Sequence, residues 1–301
     1  MPPLAFGTGS SFTLLSPSAT KSAILSALAA GHRHFDLAEM YGNHAAIGAA
    51  FTAAFETMPL AREDLFITTK VWTTNMNHVA EAVDQMLLDL NVAYIDLLLI
   101  HWPVPMVFTG DIKSPSKGAS TPVDEHGNCG YSASHDVLET WRQFEAAVDS
   151  GKTNLIGCSN CNQSILHALT TNGRLPVAVN QVEGHPGLTQ KSLLSFAAQR
   201  GVYSVFYSPF GGPEGELLRN PAVGEAALKR SCTPGQLLLA WGLQRGAGGS
   251  GAVASSKSPR RMVENLNAEG ACGKAAEKDL DLDEINEERF YSPDCFDFLF
   301  A

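Results

Sequence analysis

The chain has 301 residues, 45% of them hydrophobic and 17% charged, the balance of a globular protein able to bury a large core. A formal net charge of −10 leaves no basic surplus to neutralise phosphates, which argues against nucleic acid or an acidic membrane surface as a partner. No run of about 18 apolar residues occurs, so no transmembrane helix is expected, and "MPPLAFGTGS" lacks the features of a secretory leader.

Short apolar runs bounded by turn residues recur along the chain and read as strands at 4–9, 34–38, 65–70, 94–101, 155–160, 178–183, 202–209 and 251–257. Several are near-continuous rather than alternating, as in parallel strands covered on both faces. Between them the apolar spacing predicts helices over 17–31, 44–56, 78–90, 135–151, 164–173, 190–201, 233–246 and 258–267. Gly31, Gly151, Gly173, Gly201 and Gly246 stand where such helices need a C-terminal cap. Eight strands alternating with helices predict a closed (β/α)8 barrel, a single domain over 1–301. The competing open sheet would want three spaced glycines after the first strand, and "FGTGSSF" offers only Gly7 and Gly9. Residues 104–135, rich in Gly, Pro and Ser, break the rhythm as one long loop.

Six cysteines are too few for a disulfide scaffold, so reduced thiols in a reducing, cytoplasmic compartment are expected. Cys158 and Cys161 have C-x-x-C spacing, but they close a strand-like run, and no second pair completes a zinc site. The spacing reads as coincidence.

In a barrel the chemistry sits at the C-terminal ends of the strands. Asp36, Lys70 and His101 end the second, third and fourth predicted strands, and Tyr41 follows Asp36 in a turn at Gly42. A tyrosine is a weak acid at neutral pH unless its phenolate is stabilised, and a cation a few ångströms away lowers its pKa. Lys70 can be that cation, Asp36 can keep Lys70 charged, and His101 can hydrogen-bond the oxygen that the tyrosine protonates. Such a set suits protonation of a carbonyl oxygen as hydride reaches its carbon. Singly, each of these residues has an ordinary structural explanation; four together at successive strand ends do not.

In order along the chain, "FDLAEMYGN", "DLFITTKVW", "IDLLLIHWP", "IGCSNCN", "VNQVEGHP" and "YSPFGG" resemble the aldo-keto reductase superfamily, from about Phe6 to the C-terminal tail. The resemblance implies a catalytic tetrad of Asp36, Tyr41, Lys70 and His101, with Tyr41 as general acid, Lys70 tuning it and His101 orienting the carbonyl. No side chain supplies a hydride, so a nicotinamide cofactor is required. The resemblance puts it on Ser159, Asn160 and Gln181, with Tyr207 stacked on the nicotinamide and Thr8 and Ser208 nearby. In "VASSKSPRRMVENL", a helix start beside Lys257, Arg260 and Arg261 suits a 2′-phosphate. There the resemblance implies phosphate and adenine contacts from Ser255, Lys257, Arg261, Glu264 and Asn265, and hence NADPH. Three departures are visible. The family's usual Lys-Ser pair falls on Ser255-Ser256, with lysine displaced to 257; the segment before the first strand is too short for the hairpin that closes the barrel bottom; and Gly9 stands where tryptophan is usual, which would widen the pocket.

Trp102, Phe210, Phe12 and tail aromatics of 289–301 are the candidate pocket wall, shaped by loops 104–135, 211–221 and the tail. Aldehydes or ketones, including sugar-derived ones, fit such a wall, and a monomer or weak dimer is expected. Two rival readings compete with this one. His32 and His34 prompt a metal-dependent barrel hydrolase, but they precede Asp36 at the strand's entry side. A non-catalytic cofactor-binding subunit on the same fold conflicts with a complete tetrad.

Overall fold

The computed structural model describes residues 1–9, 12–113, 121–133, 135–212, 214–245, 249–273, 288–291 and 294–299. Eight parallel strands close into a barrel in sequence order: β1 (Leu4–Gly7), β2 (His34–Asp36), β3 (Phe66–Val71), β4 (Ile95–Ile100), β5 (Thr153–Ser159), β6 (Val179–Glu183), β7 (Tyr203–Tyr207) and β8 (Gly251–Ala254). Every predicted strand is present; most are trimmed at their ends, whereas β3 runs one residue farther, to Val71, and β5 starts two residues earlier, at Thr153.

Around the barrel lie α1 (Pro17–Ala30), α2 (His44–Thr57), α3 (Val79–Leu90), α4 (Val137–Asp149), α5 (Gln163–Asn172), α6 (Lys191–Ala198), α7 (Pro221–Lys229), α8 (Pro234–Leu243), α9 (Pro259–Leu266) and α10 (Ala268–Cys272). Their ends carry the expected chemistry. Ser16 caps α1 by accepting from the Ala19 N–H, and Gly31 ends it at φ 107°, a backbone that L side chains rarely adopt. Thr233 and Gln236 form a reciprocal capping box on α8. Two helices, α7 and α10, were not anticipated, and the cap expected at Gly246 lies outside the described residues. Gly173 follows α5, but with φ −71° rather than a left-handed turn. Its glycine is required by space instead, because a Cβ there would sit 2.4 Å from Trp141 Nε1.

The strands bury both faces. Leu98, Ile100, Ile156 and Cys158 pack outward against the helices with Val83, Trp141 and Phe144. Ala5, Leu97, Leu99, Val179, Val205 and Val253 fill the barrel interior. Since successive strand residues alternate faces, inward Leu99 carries His101 on the same side, Val179 carries Gln181 and Glu183, and Val205 carries Tyr207. Register then sets Lys70 beside Leu99 and Asp36 beside Thr68.

The expectation of uniformly reduced cysteines is corrected. Disulfides join Cys129 to Cys295 and Cys232 to Cys272, and among the cysteines only Cys158 and Cys161 are free thiols. The paired residues lie 166 and 40 positions apart, distances over which local sequence says nothing about proximity. Cys158 and Cys161 are buried, with the Cys158 thiol directed at Asn180 Oδ1, 3.5 Å away. No helix among the described residues is long and apolar enough to cross a membrane.

Candidate active site

At the C-terminal mouth of the barrel, Lys70 Nζ donates to Asp36 Oδ1 at 2.5 Å and to the Leu37 carbonyl at 2.9 Å. The second carboxylate oxygen of Asp36 accepts from Gln181 Nε2 at 2.7 Å. Both ions are almost wholly buried, 1% and 3% exposed, so the pair is a fixed local dipole rather than a surface salt bridge. Burial pulls the Lys70 ammonium below its ordinary pKa, and the Asp36 carboxylate opposes the shift.

Tyr41 stands above this pair. It ends a 3₁₀ turn, Glu39–Tyr41, which stops at Gly42 with φ 64°. The turn is tied to β3 by Glu39, which accepts from the Trp72 N–H at 2.8 Å and from Asn75 Nδ2 at 2.5 Å. Burial holds the Glu39 carboxyl at about 7 in spite of those two donors. Lys70 Nζ lies 5.4 Å from the centre of the Tyr41 ring.

The sequence reading, in which Lys70 lowers the Tyr41 pKa, is reversed. Burial first, then the Asp36 carboxylate and the neighbouring Tyr291 phenol, push Tyr41 above its ordinary value. The Lys70 charge is already engaged by Asp36 and Leu37, and its partner is an anion close to the same phenol. Tyr41 is therefore firmly protonated. His101 shows the opposite electrostatics: burial, then the Lys70 charge, hold its imidazole well below the usual histidine range and hence neutral. Its ring meets Tyr41 edge-on at 5.8 Å, and its buried Nδ1 has no hydrogen-bond partner. A protonated phenol and a neutral imidazole thus share one mouth.

Gly9 explains how the phenol fits. A Cβ built there would lie 2.8 Å from Tyr41 Cζ and 3.0 Å from its hydroxyl. The space that the missing side chain releases is taken by the Tyr41 ring itself, which corrects the expectation of a simply wider pocket.

The residues expected around a nicotinamide form one connected group. Ser159 Oγ donates to the Gln181 carbonyl at 2.7 Å, and Asn160 Nδ2 to the His101 carbonyl at 3.0 Å. The Tyr207 hydroxyl donates to Asn160 Oδ1 at 2.9 Å, which fixes its half-exposed ring at the mouth. Asn160 and Ser208 both take positive φ, 60° and 53°, where the chain turns out of β5 and β7. Thr8 does not present its hydroxyl to the site, because that group donates to the Asp36 carbonyl at 3.0 Å.

Farther out, Ser258 caps α9, accepting from the Arg261 N–H. Ser255, Lys257 and Arg261 are exposed, and neither basic residue forms an ion pair among the described residues. Glu264 is half-buried and paired with Arg260 at 2.8 Å, while Asn265 is buried. This end of the molecule therefore presents free positive charge beside a helix start.

The aromatic wall is smaller than anticipated and draws on the tail. Trp102 stacks on Phe296 at 5.1 Å, Phe296 meets Trp72 at 6.4 Å, and Trp72 meets His101 edge-on at 5.0 Å. Phe210 is not part of it; its ring packs toward Gly235 and the helical layer around Leu217 and Leu237. Nor is Phe12, which is buried edge-on to Phe6 beneath α1. His32 and His34 serve the far end of the barrel, bonding the Met262 and Pro2 carbonyls, and burial holds both at about 4.

Glu183 escaped the sequence reading. It is fully buried at the end of β6 and accepts from the Phe290 and Tyr291 N–H groups at 2.9 and 3.1 Å and from His185 at 3.1 Å. The available signal was its spacing, since it lies two residues after Gln181 on the inward face of the same strand.

A profile of the Aldo/keto reductase family matches residues 3–286. An aldo/keto reductase of Synechocystis is 37% identical over 285 residues, covering 89% of this chain and 80% of that protein. The glycerol 2-dehydrogenase (NADP(+)) of Saccharomyces cerevisiae is 33% identical over 231 residues, covering 74% of this chain and 71% of the relative. Among solved structures, the aldose reductase of Schistosoma japonicum superposes with a TM-score of 0.85 at 32% identity, covering 99% of this chain and 93% of its own. With a closed parallel barrel, a match along almost its whole length and these relatives, the chain belongs to the aldo/keto reductase family, oxidoreductases that act on carbonyl groups.

Proposed function

We propose that the protein reduces aldehydes or ketones to alcohols with NADPH, and that Tyr41 is the proton donor. The observation that carries this reading is the buried Asp36–Lys70–Gln181 group beneath a phenol that stays protonated and an imidazole that stays neutral. The residues present fit a nicotinamide dinucleotide. Tyr207 offers a half-exposed ring at the mouth, the buried His101 Nδ1 is an unpartnered polar atom there, and Lys257 and Arg261 offer unpaired charge beside α9. When bound, the cofactor supplies the hydride.

The chain's own residues supply the rest. His101, neutral, orients the carbonyl oxygen toward the Tyr41 hydroxyl. Tyr41 passes its proton to that oxygen as the oxygen gains charge, and the Lys70 ammonium, though held by Asp36, lies 5.4 Å from the ring centre and limits the cost of the charge left there. Trp72, Trp102 and Phe296 exclude water and seat the apolar part of the substrate. Arg261 and Lys257 select the 2′-phosphorylated cofactor in this reading, and the yeast glycerol 2-dehydrogenase is named for NADP(+). Sugar-derived aldehydes belong in the substrate panel because the Schistosoma japonicum neighbour is an aldose reductase. A cytoplasmic setting, with its supply of NADPH, completes the reading.

The test is Tyr41→Phe assayed against aldehydes with NADPH. Turnover should fall by roughly 10²–10⁴-fold, the usual contribution of a general acid, while NADPH binding followed by protein fluorescence stays unchanged. Near-normal turnover would remove Tyr41 from the role.

A further inference from the structure

We propose that Cys129–Cys295 is a thiol–disulfide switch that sets the aromatic wall of the pocket, with a dithiol as its reductant and a disulfide as its oxidant. The proposal rests on the carbonyl-reductase reading for what the wall does, though not for what the cysteines do.

The bridge joins the loop after β4, in the middle of the sequence, to the C-terminal turn, and both segments lie at the mouth. Cys129 lies in the loop after β4, in a short antiparallel pairing with Val123. That pairing is turned by Asp124, whose Oδ1 accepts from the His126 and Asn128 N–H groups. Cys295 lies in the terminal 3₁₀ turn Asp294–Leu299, with the two Cα atoms 5.7 Å apart. The next residue, Phe296, is the tail's contribution to the wall, stacked on Trp102 and touching Trp72, which in turn meets His101. One covalent step and two ring contacts, Phe296 to Trp72 and Trp72 to His101, therefore separate the disulfide from a residue of the tetrad.

The other restraints on the tail are non-covalent: Phe296 and Leu299 are buried in the wall cluster, Arg289 lies 3.9 Å from Glu183, and the Phe290 and Tyr291 rings meet His185 and Tyr207. The Glu183 carboxylate holds the Phe290 and Tyr291 N–H groups on one side of the bridge. On the other side, the Tyr131 hydroxyl donates to the Cys295 carbonyl at 2.8 Å and Asn162 Nδ2 to the Leu299 carbonyl at 3.1 Å. Individual hydrogen bonds contribute modestly, whereas the disulfide removes the freedom of a loop of 166 residues. Opening it breaks no barrel strand and no long helix. Reduction should release the terminal turn and leave the barrel standing, the behaviour of a locally unfolding unit.

Access favours one sulfur. Cys129 is partly exposed and Cys295 is 3% exposed, so an incoming thiolate reaches the Cys129 sulfur. The attack forms a mixed disulfide at Cys129 and expels the Cys295 thiolate, which takes up a proton. The reductant's second thiolate then displaces Cys129, which is protonated in turn. Two electrons and two protons pass to the protein, leaving two thiols and an oxidised reductant; a disulfide oxidant runs the sequence backward. A disulfide in a reducing compartment is more often transient or redox-sensing than permanent. Placement at a substrate wall gives this one something to control. The Cys232–Cys272 bridge, which links the turn after α7 to α10, has no such neighbour in the wall.

The experiment equilibrates the native protein in buffers of graded reduced and oxidised dithiothreitol. It reads thiol labelling of Cys129 and Cys295 by mass spectrometry, hydrogen exchange over 288–299, and steady-state kinetics with 4-nitrobenzaldehyde and propanal. On reduction, both cysteines should label, the terminal turn should exchange faster, and KM for the aromatic aldehyde should rise roughly 2–10-fold, the range expected for loosened aromatic contacts. Kinetics with propanal, too small to use the wall, should hold. The C129S/C295S variant should show the reduced-state KM and ignore reductant, which separates this bridge from Cys232–Cys272. The switch is refuted if the pair stays bridged in excess reductant under native conditions, or if reduction changes neither tail exchange nor the aromatic KM. If neither redox form turns over any aldehyde, the carbonyl reading fails, and labelling with exchange still decides the switch.

Discussion

Replacing Lys70 by Met gives the sharpest test of the buried pair. Methionine keeps most of the volume but leaves Asp36, 3% exposed, with Gln181 as its one remaining side-chain donor among the described residues. Stripping the partner from a buried ion pair typically costs about 3–5 kcal/mol, because an uncompensated charge remains in a poor dielectric. A chain of 301 residues has an unfolding entropy of about 0.6 kcal/mol/K, so the melting temperature should fall by about 5–8 °C. Circular-dichroism melts of wild type and variant at one pH and fixed redox poise give the difference directly. Adding Asp36→Asn should recover much of the loss by removing the orphaned charge. A drop under about 2 °C, or no recovery in the double variant, would refute the argument.

Gly9→Ala places a methyl 2.8 Å from Tyr41 Cζ, so the phenol must move; turnover should fall by about 10-fold or more with cofactor affinity little changed, and intact turnover would show that the ring has slack. Arg261→Ala should weaken NADPH far more than NADH in fluorescence titrations, and equal losses would deny a 2′-phosphate contact. Burial holds His32, His34 and His44 at about 4, well under the ordinary 6.5. Folded they stay neutral while the unfolded chain binds their protons, so stability is full above about pH 6.5 and is lost as pH falls toward 4, by up to roughly 3 kcal/mol for each. Urea midpoints at about pH 7 and pH 5 measure this, and a flat response would contradict it.

The legible part of the site is the part governed by a period of two. Lys70, His101, Gln181 and Tyr207 follow the inward parity of strands whose apolar members fill the barrel, and Asp36 follows it on β2, whose one apolar residue, Phe35, packs outward, so strand-end chemistry could be read residue by residue. Glu183 obeys the same parity and was readable in principle. Its partners were not, since the Phe290 and Tyr291 N–H groups lie more than 100 positions away. The same holds for Cys129 with Cys295, where no periodicity links the two ends. Phe12, aromatic and close in sequence to the site, is buried under α1, whereas Phe210 stays partly exposed while its ring packs against the layer around Leu217 and Leu237.

The reversal at Tyr41 shows what composition of a site cannot supply, which is how each charge is already engaged. Lys70, Asp36 and Tyr41 admit two arrangements, one in which the ammonium faces the phenol and one in which it faces the carboxylate. In the second, which the fold adopts, the cation is 2.5 Å from Asp36 and 5.4 Å from the phenol ring centre, and the carboxylate itself disfavours a phenolate. On the proposed reading this has a direction. Reduction needs a phenol that holds its proton until the carbonyl oxygen becomes basic, whereas oxidation needs a phenolate ready to accept one. A buried phenol beside a paired carboxylate favours the first, so reduction should outrun oxidation across the neutral range. The balance should shift toward alcohol oxidation only in alkali, where Tyr41 begins to ionise. Comparing kcat for both directions between about pH 6 and pH 10 decides it, and a faster oxidation at neutral pH would place the ammonium with the phenol after all.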